Sequence, residues 1–160
     1  MILFGHIGIT VFLGNLFSLA LIPVFLGSIL PDIIDKPFQI MGMGYGRFIG
    51  HTLFMGLVIA GIIHLLTRKK LFSLSFLFGY FVHLLEDASH FVPWFYPFVN
   101  YSFPSYSFGP VFSTFNIISE IIGVILLVQL IHSKSHFKGF LVKSWKGLRD
   151  KFKKHWKWRR

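Results

Sequence analysis

The sequence contains no cysteine. That excludes a disulfide scaffold and a thiolate metal site, and it leaves the redox compartment open. Charge is also scarce. Only 14% of the 160 residues are charged, against about 25% in an ordinary soluble domain. Acids are the scarcest, six in the whole chain. Met1–Leu30 has no Asp, Glu, Lys or Arg at all, and without a basic leading region it does not read as a secretory signal. No internal repeat is visible, and the length suits one domain. What fills the chain is apolar: 54% hydrophobic residues, 21 of them Phe, with a mean hydropathy of +0.65. These values favour a membrane protein over a soluble enzyme or a disordered chain.

The charge that exists is unevenly placed. Eleven Lys/Arg and one acid, Asp150, lie between Lys134 and Arg160. Residues 1–133 hold five bases and five acids, so the whole net charge of +10 sits in the last 27 residues. The chain divides into a neutral apolar body, 1–133, and a basic tail, 134–160.

About 20 residues cross a bilayer core. The first uncharged run is too long for one upright helix, and Gly14, Asn15 and Pro23 are natural breaks. Two short helices, about Gly5–Leu16 and Leu19–Leu30, are expected to fold back as a hairpin. Further apolar runs cover Ile49–Thr67, Leu71–Leu85 and Val111–Ile131. Between the last two, Phe91–Pro110 carries four prolines and nine aromatic residues, the composition of an irregular loop at the membrane surface. The expectation is an all-α, polytopic membrane protein of four to five membrane-embedded helices with a polar metal site at one end. By the positive-inside tendency, Arg68-Lys69-Lys70 and the tail would be cytoplasmic. His6, Asp32, His51, His83 and Asp87 would then share the opposite level.

Polar groups in apolar helices are expensive and point to function. His83 and Asp87 are four residues apart on one helix face, and His90 continues that face. Imidazole and carboxylate at this spacing can hold a cation, or form a buried hydrogen-bonded pair. Asp32 and Asp35, flanked by Pro31 and Pro37, read either as a helix end capped by Asp32 or as carboxylates delivered to a site. His6 and His51 stand alone beside glycines and read as ligands or as packed residues. Arg47 could hold an anion or touch headgroups. Asn116 and Glu120 share a face of the last helix and read as outer partners or as a packing pair. Glu86 is a further outer candidate. His64, His132, His136 and His155 fall on the basic side and are set apart from the site.

Gly5-His6, Leu30-Pro31-Asp32-x-x-Asp35, Arg47-x-x-x-His51-Thr52 and Gly79-Tyr80-x-x-His83-x-x-x-Asp87 occur in that order. Over residues 3–90 this resembles a family of membrane-bound metal-dependent hydrolases, inner-membrane-associated in bacteria and found also in archaea. The motif order is also similar to that of soluble, all-helical zinc-dependent phospholipases C. The resemblance implies that His6, Asp32, His51, His83 and Asp87 are metal ligands, with Asp87 a bridge between two metals, and His90 lies near where another ligand could fall. Glu86 and Glu120, read from their own positions, are additional ligands or outer partners. The sequence departs from the family pattern where Gly46 replaces a usual His before Arg47, and where Gly50 replaces a usual Thr. One potential ligand is therefore missing.

His and carboxylate donors suit Zn²⁺, with Mn²⁺ or Fe²⁺ as alternatives. The expected activity is cleavage of a phosphoester in a lipid-like or small substrate by metal-activated water. Asp35 would act as base or orienter, and Arg47 would neutralise phosphate. In the tail, Leu141, Trp145, Leu148, Phe152 and Trp156 form one helical stripe among lysines, a pattern drawn to anionic lipid headgroups. Nucleic acid is the poorer partner, because it requires no such stripe. The competing class is a non-enzymatic membrane scaffold, or a small transporter handling metal or protons.

Overall fold

The computed structural model describes residues 3–41, 46–88, 91–103 and 114–133. They form five α-helices: α1 (Leu3–Leu16), α2 (Leu21–Ile40), α3 (Leu53–Thr67), α4 (Lys70–Glu86) and α5 (Thr114–His132). A short 3-10 turn, Ile49–His51, precedes α3. Residues Met1–Leu127 make one compact unit and Val128–Arg160 another. The tail 134–160, with its expected amphipathic stripe, lies outside the described residues, as do His136 and His155.

Local chemistry explains most boundaries. After α1, Ser18 adopts a left-handed φ of 54° and Leu19 N–H closes on the Gly14 carbonyl at 2.9 Å. α2 begins at Leu21, and Ala20 N–H just before it is satisfied from α4 by Ser75 Oγ at 3.0 Å. Pro23 falls in the first turn, where a missing N–H costs nothing. Thr52 caps α3 by accepting from Met55 N–H at 3.1 Å. Arg68 ends α3 in the left-handed region, and its N–H bonds the His64 carbonyl at 2.8 Å.

One expectation is corrected in α2. Asp32 does not cap a helix end. The helix runs on through Pro31 and Pro37 to Ile40, so Asp32 and Asp35 are interior residues one turn apart. Proline at position 31 removes the bond to the Gly27 carbonyl, but tertiary packing holds the helix across that gap. A Cβ at Gly27 would lie 2.3 Å from the Phe76 carbonyl oxygen, and one at Gly79 would lie 2.2 Å from that of Val24. α2 and α4 therefore cross in direct backbone contact, the most extensive helix pairing in the structure. α1 meets α5 in the same way, with a Cβ at Gly8 falling 2.1 Å from the Gly123 carbonyl oxygen.

The larger correction concerns the membrane. Among the described residues, no helix is long and apolar enough to cross a membrane, which overturns the reading as a polytopic membrane protein. α3 has 15 residues and α4 has 17, short of the ~20 needed. α2 has 20, but Asp32, Asp35 and Lys36 interrupt it. The apolar runs instead furnish outward faces. Leu57, Leu66, Leu74, Ile121 and Ile125 are exposed, whereas His6, Asp35, His51, His83 and Asp87 are buried. Among the described residues, Ala60, Phe76, Tyr80, Leu84 and Val92 form a buried apolar cluster.

The crossing of α2 and α4 generates a paired prediction. Gly79→Ala should lower stability by about 1–3 kcal/mol, since the added methyl meets backbone that cannot yield. Gly61→Ala, where a Cβ meets nothing within 4 Å, should raise it by up to about 1 kcal/mol. Thermal unfolding of both variants in one detergent checks the contrast.

Candidate metal centre

Three imidazoles meet two carboxylates between α1, α2, the 3-10 turn and α4. Asp32 comes from α2, His51 from the turn, and His83 and Asp87 from the end of α4. Each of these four offers a ligand atom, and the four atoms lie within 4.8 Å of one another, so the group could hold a metal ion. His51 Nε2 and His83 Nε2 face each other at 3.3 Å. Asp87 Oδ2 stands 3.5 Å from His51 Nε2 and 4.0 Å from His83 Nε2. Asp32 Oδ1 stands 3.7 Å and 4.0 Å from the same two nitrogens.

The other ring nitrogens are all engaged, those of His51 and His83 by acceptors and that of His6 by Glu86. His83 Nδ1 donates to the Ser28 carbonyl at 2.6 Å. His51 Nδ1 donates to Asp35 Oδ2 at 2.8 Å. His6 Nδ1 is 2.6 Å from Glu86 Oε2, and Thr10 donates to the same carboxylate at 3.3 Å. A carbonyl only accepts, so the Ser28 contact fixes the proton of neutral His83 on Nδ1 and leaves a lone pair on Nε2. This orientation of imidazoles by outer acceptors is usual around metals. His6 lies just outside the group of four. Its ring stacks on His83 at 4.2 Å between centroids. Its Nε2 is buried without a hydrogen-bond partner, 3.5 Å from the second oxygen of Asp87.

The local backbone explains how His51 is placed. Asp35 is fully buried and accepts N–H bonds from Phe48, Gly50 and His51 at 2.6, 2.9 and 3.1 Å, besides the His51 ring. A Cβ at Gly50 would fall 2.9 Å from the Asp35 carboxyl carbon and 2.8 Å from the Pro31 carbonyl oxygen. Glycine is thus what lets the turn close over Asp35. Tyr80, also buried, donates its hydroxyl to the Gly50 carbonyl from the other side. Gly46 has a φ of +82°, a conformation that glycine adopts more readily than residues with a side chain.

Each charge has a physical cause. Burial lowers His6, aided by the neighbouring His83, to about 3, and burial lowers His83 to about 4. Both rings are neutral at pH 7. For His51, burial disfavours the charged ring, but hydrogen bonds to Asp35 and Asp87 outweigh it and raise the pKa. Burial likewise opposes ionisation of Asp32 and Asp87. His83 and Lys36 hold Asp32 below its usual value nonetheless, and His51 and Arg47 do the same for Asp87. Burial pushes Glu86 up to about 8.

The remaining candidates fall elsewhere. Arg47 Nε donates to Asp87 Oδ2 at 2.6 Å. Glu120 is not in the donor group. Its two oxygens accept the first N–H groups of α1, from Phe4 at 3.0 Å and Gly5 at 2.8 Å. It caps the helix that carries His6. His90 lies outside the described residues. Residues 91–103 contain no helix, and their rings gather on Phe48, with Tyr96 at 5.2 Å and Phe103 at 5.0 Å. Sequence reasoning missed Ser28, Thr10, Lys36 and the role of Tyr80. Only Tyr80 carried a signal, as part of the Gly79-Tyr80 pair. A backbone acceptor such as the Ser28 carbonyl leaves none.

A family model described as YdjM inner membrane protein matches residues 1–146, and the chain belongs to that family. No curated protein and no solved structure matches it. The family is one of the inner membrane; the multi-pass arrangement and the cytoplasmic tail draw no support from the helices described.

Asp35→Asn keeps the shape of the side chain but replaces one acceptor oxygen with a donor amide. It should cost about 3 kcal/mol or more, because buried N–H groups lose a charged acceptor. Denaturant unfolding of the metal-free protein measures this, and a change below 1 kcal/mol would mean that Asp35 does not organise the turn.

Proposed function

We propose that this member of the YdjM family is a divalent-metal-dependent hydrolase of the inner membrane that cleaves a phosphoester in a lipid-like substrate. The observation that supports it most is the convergence of His51 Nε2 and His83 Nε2 at 3.3 Å, each ring held by an acceptor on its other nitrogen. Two imidazole lone pairs repel at that distance. A cation between them, flanked by Asp32 and Asp87, removes the repulsion, and a proton on His51 does so in its absence.

The donor set fits a metal. Asp32, His51, His83 and Asp87 would hold one ion, and two imidazoles with two carboxylates point to zinc, with manganese or iron as alternatives. His6 Nε2 and the second oxygen of Asp87 would serve another ion, with Asp87 as the bridge. A divalent ion in such a site acidifies water and polarises a phosphoryl oxygen.

The chain's own residues do the rest. Asp35 orients His51; with four donors on its two oxygens it is an orienter rather than a base. Glu86 holds the His6 ring at its Nδ1. Arg47 fixes Asp87 and brings a cation to the rim. The aromatic segment packs over Phe48 and screens the turn from water. Exposed apolar helix faces suit contact with lipid, which supports an acyl-bearing substrate. The basic tail would add affinity for anionic headgroups. A second reading, a metal-holding module without turnover, is favoured by Gly46, whose backbone leaves no ligand at that position.

The test is metal content by mass spectrometry on detergent-purified protein, beside His83→Ala and Asp87→Ala. One or two transition-metal ions per chain in the wild type, lost in both variants while helicity is kept, are expected. Metal-dependent release of phosphate or a phosphorylated headgroup from phosphoester substrates would then establish hydrolysis. Metal without turnover on any ester would favour the module. No metal after zinc or manganese reconstitution would return these residues to structural roles. Calorimetry in buffers of different ionisation enthalpy should also show proton release on binding of the first ion, because hydrogen bonds to Asp35 and Asp87 raise His51 and a metal on its Nε2 displaces the proton they favour.

A further inference from the structure

Lys36 lies one helical turn beyond Asp32 on α2, and its Nζ is 2.5 Å from Asp32 Oδ2. Asp32 therefore divides its carboxylate. Oδ1 faces His51 and His83, and Oδ2 faces the lysine. Asp87 has its own cation, with Arg47 Nε 2.6 Å from Oδ2. The two cations differ in exposure. The Lys36 side chain is 47% exposed and that of Arg47 is 18%, whereas Asp32 and Asp87 are at 11% and 2%. Lys36 marks the open edge of the donor group.

The charge balance has a consequence. Both ligand carboxylates are already matched by a cation of the chain. Two further carboxylates lie behind the rings, Asp35 behind His51 and Glu86 behind His6. A divalent ion then brings positive charge that the ligand carboxylates Asp32 and Asp87, already paired with Lys36 and Arg47, do not offset by themselves. In a site this buried such an excess is costly and calls for an anion. Two metals would enlarge the excess.

We propose that Lys36 is a substrate-binding residue, which together with the metal-loaded centre holds the tetrahedral anion of a phosphate group at the open edge. This rests on the metal reading above and adds the residue that selects an anionic group. An ammonium on a flexible stem can leave Asp32 Oδ2 for an arriving phosphate oxygen without disturbing Oδ1. Being half in solvent, it can meet that group before the group is desolvated. A free phosphate and a lipid phosphate headgroup present the same chemistry.

The test uses the full chain in detergent: wild type, Lys36→Met and Lys36→Arg, each loaded with Zn²⁺. Metal content is measured first. Each protein is then titrated calorimetrically with inorganic phosphate and, separately, with a short-chain phosphatidic acid in the same micelles. All three proteins are expected to hold the same metal. Lys36→Met should bind the anion about tenfold more weakly, the scale of one charge-assisted contact, and Lys36→Arg should recover most of the loss. Binding of both probes would indicate a site for phosphate itself, and binding of the lipid alone a headgroup site. Equal anion affinity in Lys36→Met and wild type would overturn the proposal. So would loss of metal in Lys36→Met, which would confine Lys36 to positioning Asp32. A wild type that holds zinc but neither probe would overturn the anion site while leaving the metal reading intact. A wild type that holds no metal would end both.

Discussion

A carboxylate buried without access to water must find donors or give up its charge. Asp35 is that carboxylate, and much of the centre depends on how it is satisfied. Its donors come from the backbone of Phe48, Gly50 and His51 and from the His51 ring. The turn must therefore wrap around the side chain, which requires glycine at position 50. The same turn delivers His51 to the donor group, supplies Thr52 as the cap of α3, and presents Phe48 to the aromatic segment. One charge on α2 thus organises the start of α3 and one wall of the site.

The second constraint is the approach of α2 to α4. With no side chain at Gly27 or Gly79, the backbones touch. That closeness brings the Ser28 carbonyl within 2.6 Å of His83 Nδ1 and sets Asp32 opposite His83 and Asp87. α1 is held in turn by its glycine contact with α5 and by Glu120 on its first N–H groups, so His6 reaches the same centre. Small residues buy proximity here, and proximity lets polar side chains pair with one another rather than with water.

The result is a set of helices with many apolar residues outward and a polar, charged cluster buried beside an apolar one. That distribution accounts for the high hydropathy without membrane-spanning helices among the described residues. It also agrees with a family of the inner membrane. The surface is suited to an apolar environment, whereas the buried centre gathers a donor group that could hold a metal ion.

The all-helical class, and helices close to 49–67, 71–85 and 111–131, were legible in the sequence, because runs of apolar residues ended by charge or proline are local signals. His6, Asp32, His51, His83 and Asp87 were legible as outliers in apolar surroundings, and their convergence could be anticipated from the order of motifs. Their division of labour could not. Whether Asp35 faces a ligand or a backbone turn, whether Glu86 serves His6, and whether Glu120 joins the centre or caps α1 depend on residues 13 to 116 positions away. The continuation of α2 through Pro31 was hidden for the same reason, since local propensity argues against it and only the packing of Gly27 on α4 outweighs the lost hydrogen bond. Sequence determined which residues had to be explained. Tertiary structure decided what each one touches, because the energy of a buried charge is set by its neighbours in space.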